Sequence, residues 1–197
     1  MAVALLKELP LYPDSDLGPY RRQDYEALAD EPRCELIFGR FYLSPSPSIL
    51  HQIVLFLLSR LLDDIAMETG GQVFVAPLDV YLADHSVVQP DILYISAARR
   101  KIVQERIEGA PDLVIEILSP GTSRRDREQK LGLYAEAGVR EYWPMDPVAR
   151  HFQFLVNEGG RFVVEMQRGP EYRSRVLPEI HLDIPAFWKQ VEERLGR

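Results

Sequence analysis

Cysteine is nearly absent: Cys34 is the only one in 197 residues, which excludes an intrachain disulfide framework and points to a cytoplasmic protein. With four histidines and no Cys/His cluster, the chain also lacks the ligand set of a structural zinc site. Long apolar runs are missing. The longest, 49–65, is interrupted by His51, Gln52, Ser59, Arg60, Asp63 and Asp64, so no membrane segment is expected. The short apolar run at the N-terminus contains Lys7 and Glu8 and has no sustained hydrophobic region, unlike a signal peptide. Neither G-x-G-x-x-G after a strand nor G-x-x-x-x-G-K-[ST] occurs, which removes the usual nucleotide-fold signals. Positive charge is in deficit. At a net −7 the molecule as a whole repels nucleic acid, so binding to DNA would require a local basic surface or a bridging cation. Asn157 is the sole asparagine and most basic residues are arginine, a bias that bears on source rather than activity.

The 46% hydrophobic content is enough for one domain with a sizeable core. The pattern divides it into an N-terminal arm with a short helix (1–34), a central α/β core (35–147) and a C-terminal hairpin and helix (148–197). Tyr20 to Ala29 has no glycine or proline and reads as a short helix; Glu35 to Leu43 reads as a hairpin turning at Gly39-Arg40. From Ile49, apolar residues at 50, 53, 54, 57, 58, 61, 62 and 65 fall at helical spacing, and Gly70 supplies a C-cap. Gln72 to Leu82 and Val87 to Ile95 read as two strands, and the nearly unbroken apolar run Leu113 to Leu118 as a central strand buried on both faces. Ser123 and Asp126 have the spacing of a capping box for a helix that ends at Gly138. Strands follow at 141–145, 151–156 and 161–166, and Pro185 opens a last helix. Pro144 removes a ladder donor, which predicts that its strand is at an edge or broken there. The sum is a mixed α/β sheet flanked by helices.

Two carboxylates stand out because they lie in apolar strands. Ionised Asp91 and Glu116 are costly there unless a cation or hydrogen-bond donors compensate them. Alternation places Asp112, Val114, Glu116 and Leu118 on one face. If the Asp91 strand pairs beside Glu116 in suitable register, the two carboxylates come within about 5 Å at Cβ and can share a cation. Two carboxylates, with water and phosphate oxygens completing the shell, suit Mg²⁺, with Mn²⁺ as a substitute. A metal held this way supports phosphodiester hydrolysis. Lys130, on the helix after Glu116, can fold back to orient water or stabilise phosphate, with Arg127 and Tyr134 flanking it at i−3 and i+4.

The motifs, in order, are Glu35-Leu36-Ile37-Phe38-Gly39, Ser44-Pro45-Ser46-Pro47 before His51, Val88-Gln89-Pro90-Asp91, the run from Gly109 to Pro120, Lys130 with Tyr134, and Gly138 to Trp143. In this order, over about Tyr25 to Pro147, the chain resembles the bacterial Uma-two group of restriction-endonuclease-like proteins, a branch of the PD-(D/E)XK nuclease superfamily. The resemblance implies a restriction-endonuclease-like fold with extra β-hairpins and a Mg²⁺-dependent DNA endonuclease. In it Asp91 and Glu116 are the motif acids and metal ligands, Glu35 is an auxiliary acid, and Lys130 takes over the lysine role. The superfamily pattern has its lysine two residues after the second acid, where this chain has Leu118.

Each residue also has a plainer reading. Asp91 can be a turn residue after Pro90, Glu116 the partner of Arg124 or Arg140, and Lys130 a solvated helix cation. His51 and Asp112 stand as supporting residues, with capping and strand entrance as their alternatives. Arg124, Arg125 and Arg127, with Arg99, Arg100 and Lys101, offer phosphate contacts or simply solvated charge. Two other functions compete with a nuclease: a catalytically inactive nuclease-fold module that binds nucleic acid or protein, and a small-molecule metal hydrolase, which the lack of a His-rich ligand set disfavours. A buried Lys130 beside the carboxylates would separate the active from the inactive reading. By fold analogy, cleavage of both strands points to a symmetric homodimer or a higher homo-oligomer.

Overall fold

In the computed structural model the described residues are 17–28, 33–119, 124–167 and 169–196, with backbone alone at 124–127. The capping box expected of Ser123 and Asp126 and the N-terminal run 1–11 lie outside them.

Helix α1 (Arg22–Glu26) is shorter than the glycine- and proline-free stretch allows, because Asp24 Oδ2 accepts the Arg21 N–H and sets the start at Arg22. The expected hairpin forms from β1 (Cys34–Ile37) and β2 (Arg40–Leu43). Its turn is Phe38-Gly39, one residue earlier than expected, with φ of 47° and 72° as a two-residue hairpin turn demands. A Cβ at Gly39 would also collide with the Gly18 carbonyl oxygen. Helix α2 (Ile49–Thr69) begins where Ser48 Oγ accepts the His51 N–H and ends at Gly70, whose φ is 73°. Its apolar stripe buries Val54, Leu57, Leu58, Leu62 and Ala66.

The two strands expected over 72–95 are four: β3 (Gln72–Val75), β4 (Val80–Ala83), β5 (Ser86–Val88) and β6 (Ile92–Ile95). Pro77 and Pro90 fall at the divisions, where a residue without an N–H cannot continue a ladder. The pieces belong to different sheets. β4 and β5 join a five-stranded sheet in the order β2-β1-β5-β4-β7, with β7 (Ile107–Glu108) reached through a 3₁₀ turn (Ala97–Ile102). β3 and β6 enter the main sheet beside β8 (Leu113–Ile117).

From β8 the chain crosses over through α3 (Arg124–Ala137) to a parallel neighbour, β9 (Glu141–Asp146). Outside it lie β10 (His151–Phe152), β11 (Leu155–Asn157) and β12 (Phe162–Val164), so the main sheet runs β12-β11-β9-β8-β6-β3, with β10 also on β9. The expectation for Pro144 is corrected. It sits within an unbroken interior strand, and the break falls on the partner: β10 and β11 share one register against β9 and are interrupted at 153–154, opposite Pro144. The Gln153 N–H still reaches the Pro144 carbonyl at 3.0 Å. A small ladder of β13 (Glu171–Arg173) and β14 (His181–Asp183) leads to α4 (Ile184–Leu195), capped by Asp183 on the Ala186 N–H.

The main sheet has a hydrophobic cluster on each face, and this decides where the site forms. Leu113, Ile115 and Ile117 of β8 pack with α2 and α4, while Val114 packs with Leu133 and Tyr134 of α3 and with Ile37 and Val88 of the smaller sheet. Glu116 lies on the second face, toward α3 and β1.

Candidate active site

β6 and β8 are antiparallel, with Ile92 opposite Ile115 and Leu93 opposite Val114. One more step of that register places Asp91 opposite Glu116 on the same face, and the Ile117 N–H donates to Asp91 Oδ2 at 2.7 Å. Asp91 Oδ1 lies 3.1 Å from His51 Nε2, at the start of α2. Glu116 Oε1 receives the Tyr134 hydroxyl at 2.6 Å and the Lys130 ammonium at 2.9 Å. The same ammonium lies 2.9 Å from Glu35 Oε2, while Glu35 Oε1 accepts the Gln89 N–H at 2.7 Å. Five separate elements, β1, α2, the entrance to β6, β8 and α3, thus bring Glu35, His51, Asp91, Glu116, Lys130 and Tyr134 together.

Lys130 does not point into solvent; its side chain is 13% exposed and that of Glu116 12%. Burial pushes the Glu116 carboxyl up to about 7, against the pull of Lys130 and with the push of Asp91 and Glu35. Burial alone would lower the Lys130 pKa, but Glu116 and Glu35 hold it well above its ordinary value, so the ammonium stays charged. Burial and the same carboxylates raise the Tyr134 hydroxyl, which remains a donor. Three carboxylates against one ammonium leave a negative excess when all are ionised, and a proton or a bound cation relieves it.

Glu35, His51, Asp91, Glu116 and Lys130 line a cleft of about 190 Å³, walled by Leu43 to Pro47 and also by Arg33, Gln52, Leu55, Ile117, Leu118, Ser119 and Tyr142. Arg33, Gln89 and Tyr142 are cleft residues that sequence reasoning did not single out. Gln89 does lie in the Val88-Gln89-Pro90-Asp91 motif, but nothing in its local pattern reveals that its backbone holds Glu35. Five buried polar side-chain atoms lack hydrogen-bond partners among the described residues, and two of them, Arg33 Nε and His51 Nδ1, belong to residues of this cleft.

Other expected residues are elsewhere. Asp112 is fully buried at the opposite end of β8, where it accepts the Ser96 N–H at 2.8 Å and the Arg140 guanidinium at 3.1 Å. It makes no contact with the carboxylate cluster among the described residues, and Arg140 pairs with it rather than with Glu116. Arg99, Arg100 and Lys101 follow β6 at that same far end, eight or more residues from Asp91, and do not line the cleft. The side chains of Arg124, Arg125 and Arg127 lie outside the described ones.

The donor chemistry fits a hard divalent cation held by Asp91 and Glu116. Among the described residues no three or more His, Cys, Asp or Glu side chains are placed to hold a metal ion together. Mg²⁺ does not require three, since it keeps several waters and commonly takes one or two carboxylates.

A crystal structure of a putative nuclease belonging to DUF820 from Anabaena variabilis ATCC 29413 superposes with a TM-score of 0.72 at 21% identity, over 88% of this chain and 99% of that one. That likeness establishes the restriction-endonuclease-like α/β fold. No curated protein matches the chain. The family described as "Putative restriction endonuclease", Uma2, matches residues 22–185, beyond both ends of the motif series, and the chain belongs to that family.

Proposed function

We propose that the protein is a Mg²⁺-dependent endonuclease that hydrolyses phosphodiester bonds of DNA. The observation that carries this reading is the buried Lys130 ammonium, shared between Glu35 and Glu116 on the face where Asp91 stands opposite Glu116. A solvated helix lysine would not be drawn into such a cluster. The inactive-module reading, which Leu118 and the acidic net charge motivate, would gain from a solvent-facing Lys130, and a buried one disfavours it.

Asp91 and Glu116 would hold the ion. When bound, it would supply charge stabilisation to the phosphoryl oxygens and make water more acidic. The residues of the chain prepare the rest. Tyr134 and Lys130 both engage Glu116 Oε1, so Oε2 carries none of these contacts and is the oxygen available for coordination. The Ile117 N–H and His51 fix both oxygens of Asp91 in orientation. Glu35, itself held by the Gln89 N–H, anchors Lys130 so that its remaining N–H can aim at the attacking water or the phosphoryl oxygen. Water adds to phosphorus, the P–O bond to the leaving alcohol breaks, and that oxygen takes up a proton.

The test is calorimetric titration of Mg²⁺ and Mn²⁺ into wild type, Asp91→Ala and Glu116→Ala, with plasmid nicking assayed on the same samples. Metal binding and nicking should disappear together in both variants. Absence of metal binding in wild type, or nicking retained in both variants, would refute the reading.

A further inference from the structure

Arg33 presents an unusual arrangement for an acidic cleft. It stands just before β1, one alternation beyond Glu35 on the side of Glu35 and Ile37, and all three line the cleft. Its carbonyl accepts the Ser44 N–H at 3.0 Å, which seats it against the Ser44–Pro47 wall about 7 Å along the strand from Glu35. Glu35, Asp91 and Glu116 are all nearby, yet Arg33 forms no ion pair among the described residues. Its NH2 donates to the neutral Gln89 Oε1 at 3.2 Å, and its Nε is buried without a partner among the described residues.

That geometry leaves something to be filled. An unmet buried donor on a charged group is costly, and a guanidinium held on one side by an amide keeps the rest of its donor fork for an incoming acceptor. The acceptor that suits this fork in two-point contact is a carboxylate or a phosphate, and the carboxylates of the cleft are already engaged elsewhere. Gln89 ties the two positions together, since its side chain holds Arg33 and its backbone N–H holds Glu35. Among the described residues lining the cleft, Arg33 is also the one cation besides Lys130, whose charge is already met by Glu35 and Glu116.

We propose that Arg33 binds a phosphate of the DNA strand adjacent to the one cleaved, and so positions the substrate along the cleft. The assignment rests on the nuclease reading above. It also supplies local positive charge on a molecule whose net charge opposes DNA.

The test uses a short fluorescein-labelled duplex, with anisotropy measured at several salt concentrations in Ca²⁺ for wild type, Arg33→Gln and Arg33→Lys. Mn²⁺ titration and plasmid nicking in Mg²⁺ accompany each protein. Arg33→Gln should bind the duplex about tenfold more weakly, with a log–log salt slope smaller by about one, while keeping Mn²⁺ binding. Arg33→Lys should retain the slope and recover only part of the affinity, because an ammonium lacks the fork. If wild type binds and nicks DNA but Arg33→Gln matches its affinity and slope, the Arg33 assignment falls and the nuclease reading stands. Loss of Mn²⁺ binding in both Arg33 variants would make the residue structural and overturn the assignment. A wild type that neither binds the duplex nor nicks plasmid removes the nuclease reading and the Arg33 site with it.

Discussion

Replacing Glu116 with glutamine should change how the stability of the protein depends on pH. In the metal-free fold, burial raises the Glu116 carboxyl from the ordinary 4.5 to about 7. Between those two values the folded chain holds a proton that the unfolded chain has released. Stability therefore falls as pH rises through the window and levels off above pH 7. A rise of that size corresponds to about 3 kcal/mol. Glutamine keeps an oxygen for the Tyr134 hydroxyl and Lys130 but cannot ionise, so Glu116→Gln should lack this loss. Urea unfolding in EDTA at pH 5 and pH 8 measures it. The four histidines are present in both proteins, so the difference between the two profiles isolates Glu116. Between pH 5 and pH 8, which spans most of the window, wild type should lose about 2.5 kcal/mol more than the variant. Adding Mn²⁺ at pH 8 to a hundredfold excess over its Kd should return about 2.7 kcal/mol to wild type and much less to the variant. Parallel pH profiles for the two proteins would refute the argument that Glu116 is held in a desolvated, carboxylate-crowded site.

Two other substitutions separate site from scaffold. Tyr134→Phe removes the 2.6 Å bond to Glu116 Oε1 while leaving the packed ring; Mn²⁺ affinity should drop about tenfold by calorimetry, with a stability loss of about 1 to 2 kcal/mol. Glu141, fully buried outside the cleft, accepts from Trp143 Nε1, Tyr172 and Ser174. Glu141→Ala would strand all three donors and should cost at least about 3 kcal/mol in urea unfolding, with Mn²⁺ binding retained by the folded fraction.

Much of the fold is written locally. The apolar positions of α2 and its glycine cap, the unbroken apolar run of β8, the hairpin around Phe38-Gly39 and the Asp183-Pro185 start of α4 each follow from a few neighbouring residues. The site was partly legible for the same reason. A glutamate between Ile115 and Ile117 signals a buried charge, and the motif order around Asp91, Glu35 and Lys130 points to its companions. What stayed hidden depends on partners distant in sequence. The stretch 72–95 looks like two strands, but prolines divide it and its halves enter different sheets, a choice no local period encodes. Alternation puts Asp112 and Glu116 on one face of β8, yet they occupy opposite ends and serve different partners.

By itself, then, the sequence determined the long helix, the central strand and the two carboxylates set in apolar strands, Asp91 and Glu116, because propensity, capping and apolar spacing act over a few residues. Only the tertiary structure decided that Asp91 faces Glu116, that Lys130 lies between Glu116 and Glu35, and that Arg33 has no carboxylate partner among the described residues. Those facts come from strand register and from which face of the sheet a crossing helix covers, and both are set by packing between elements far apart in the chain.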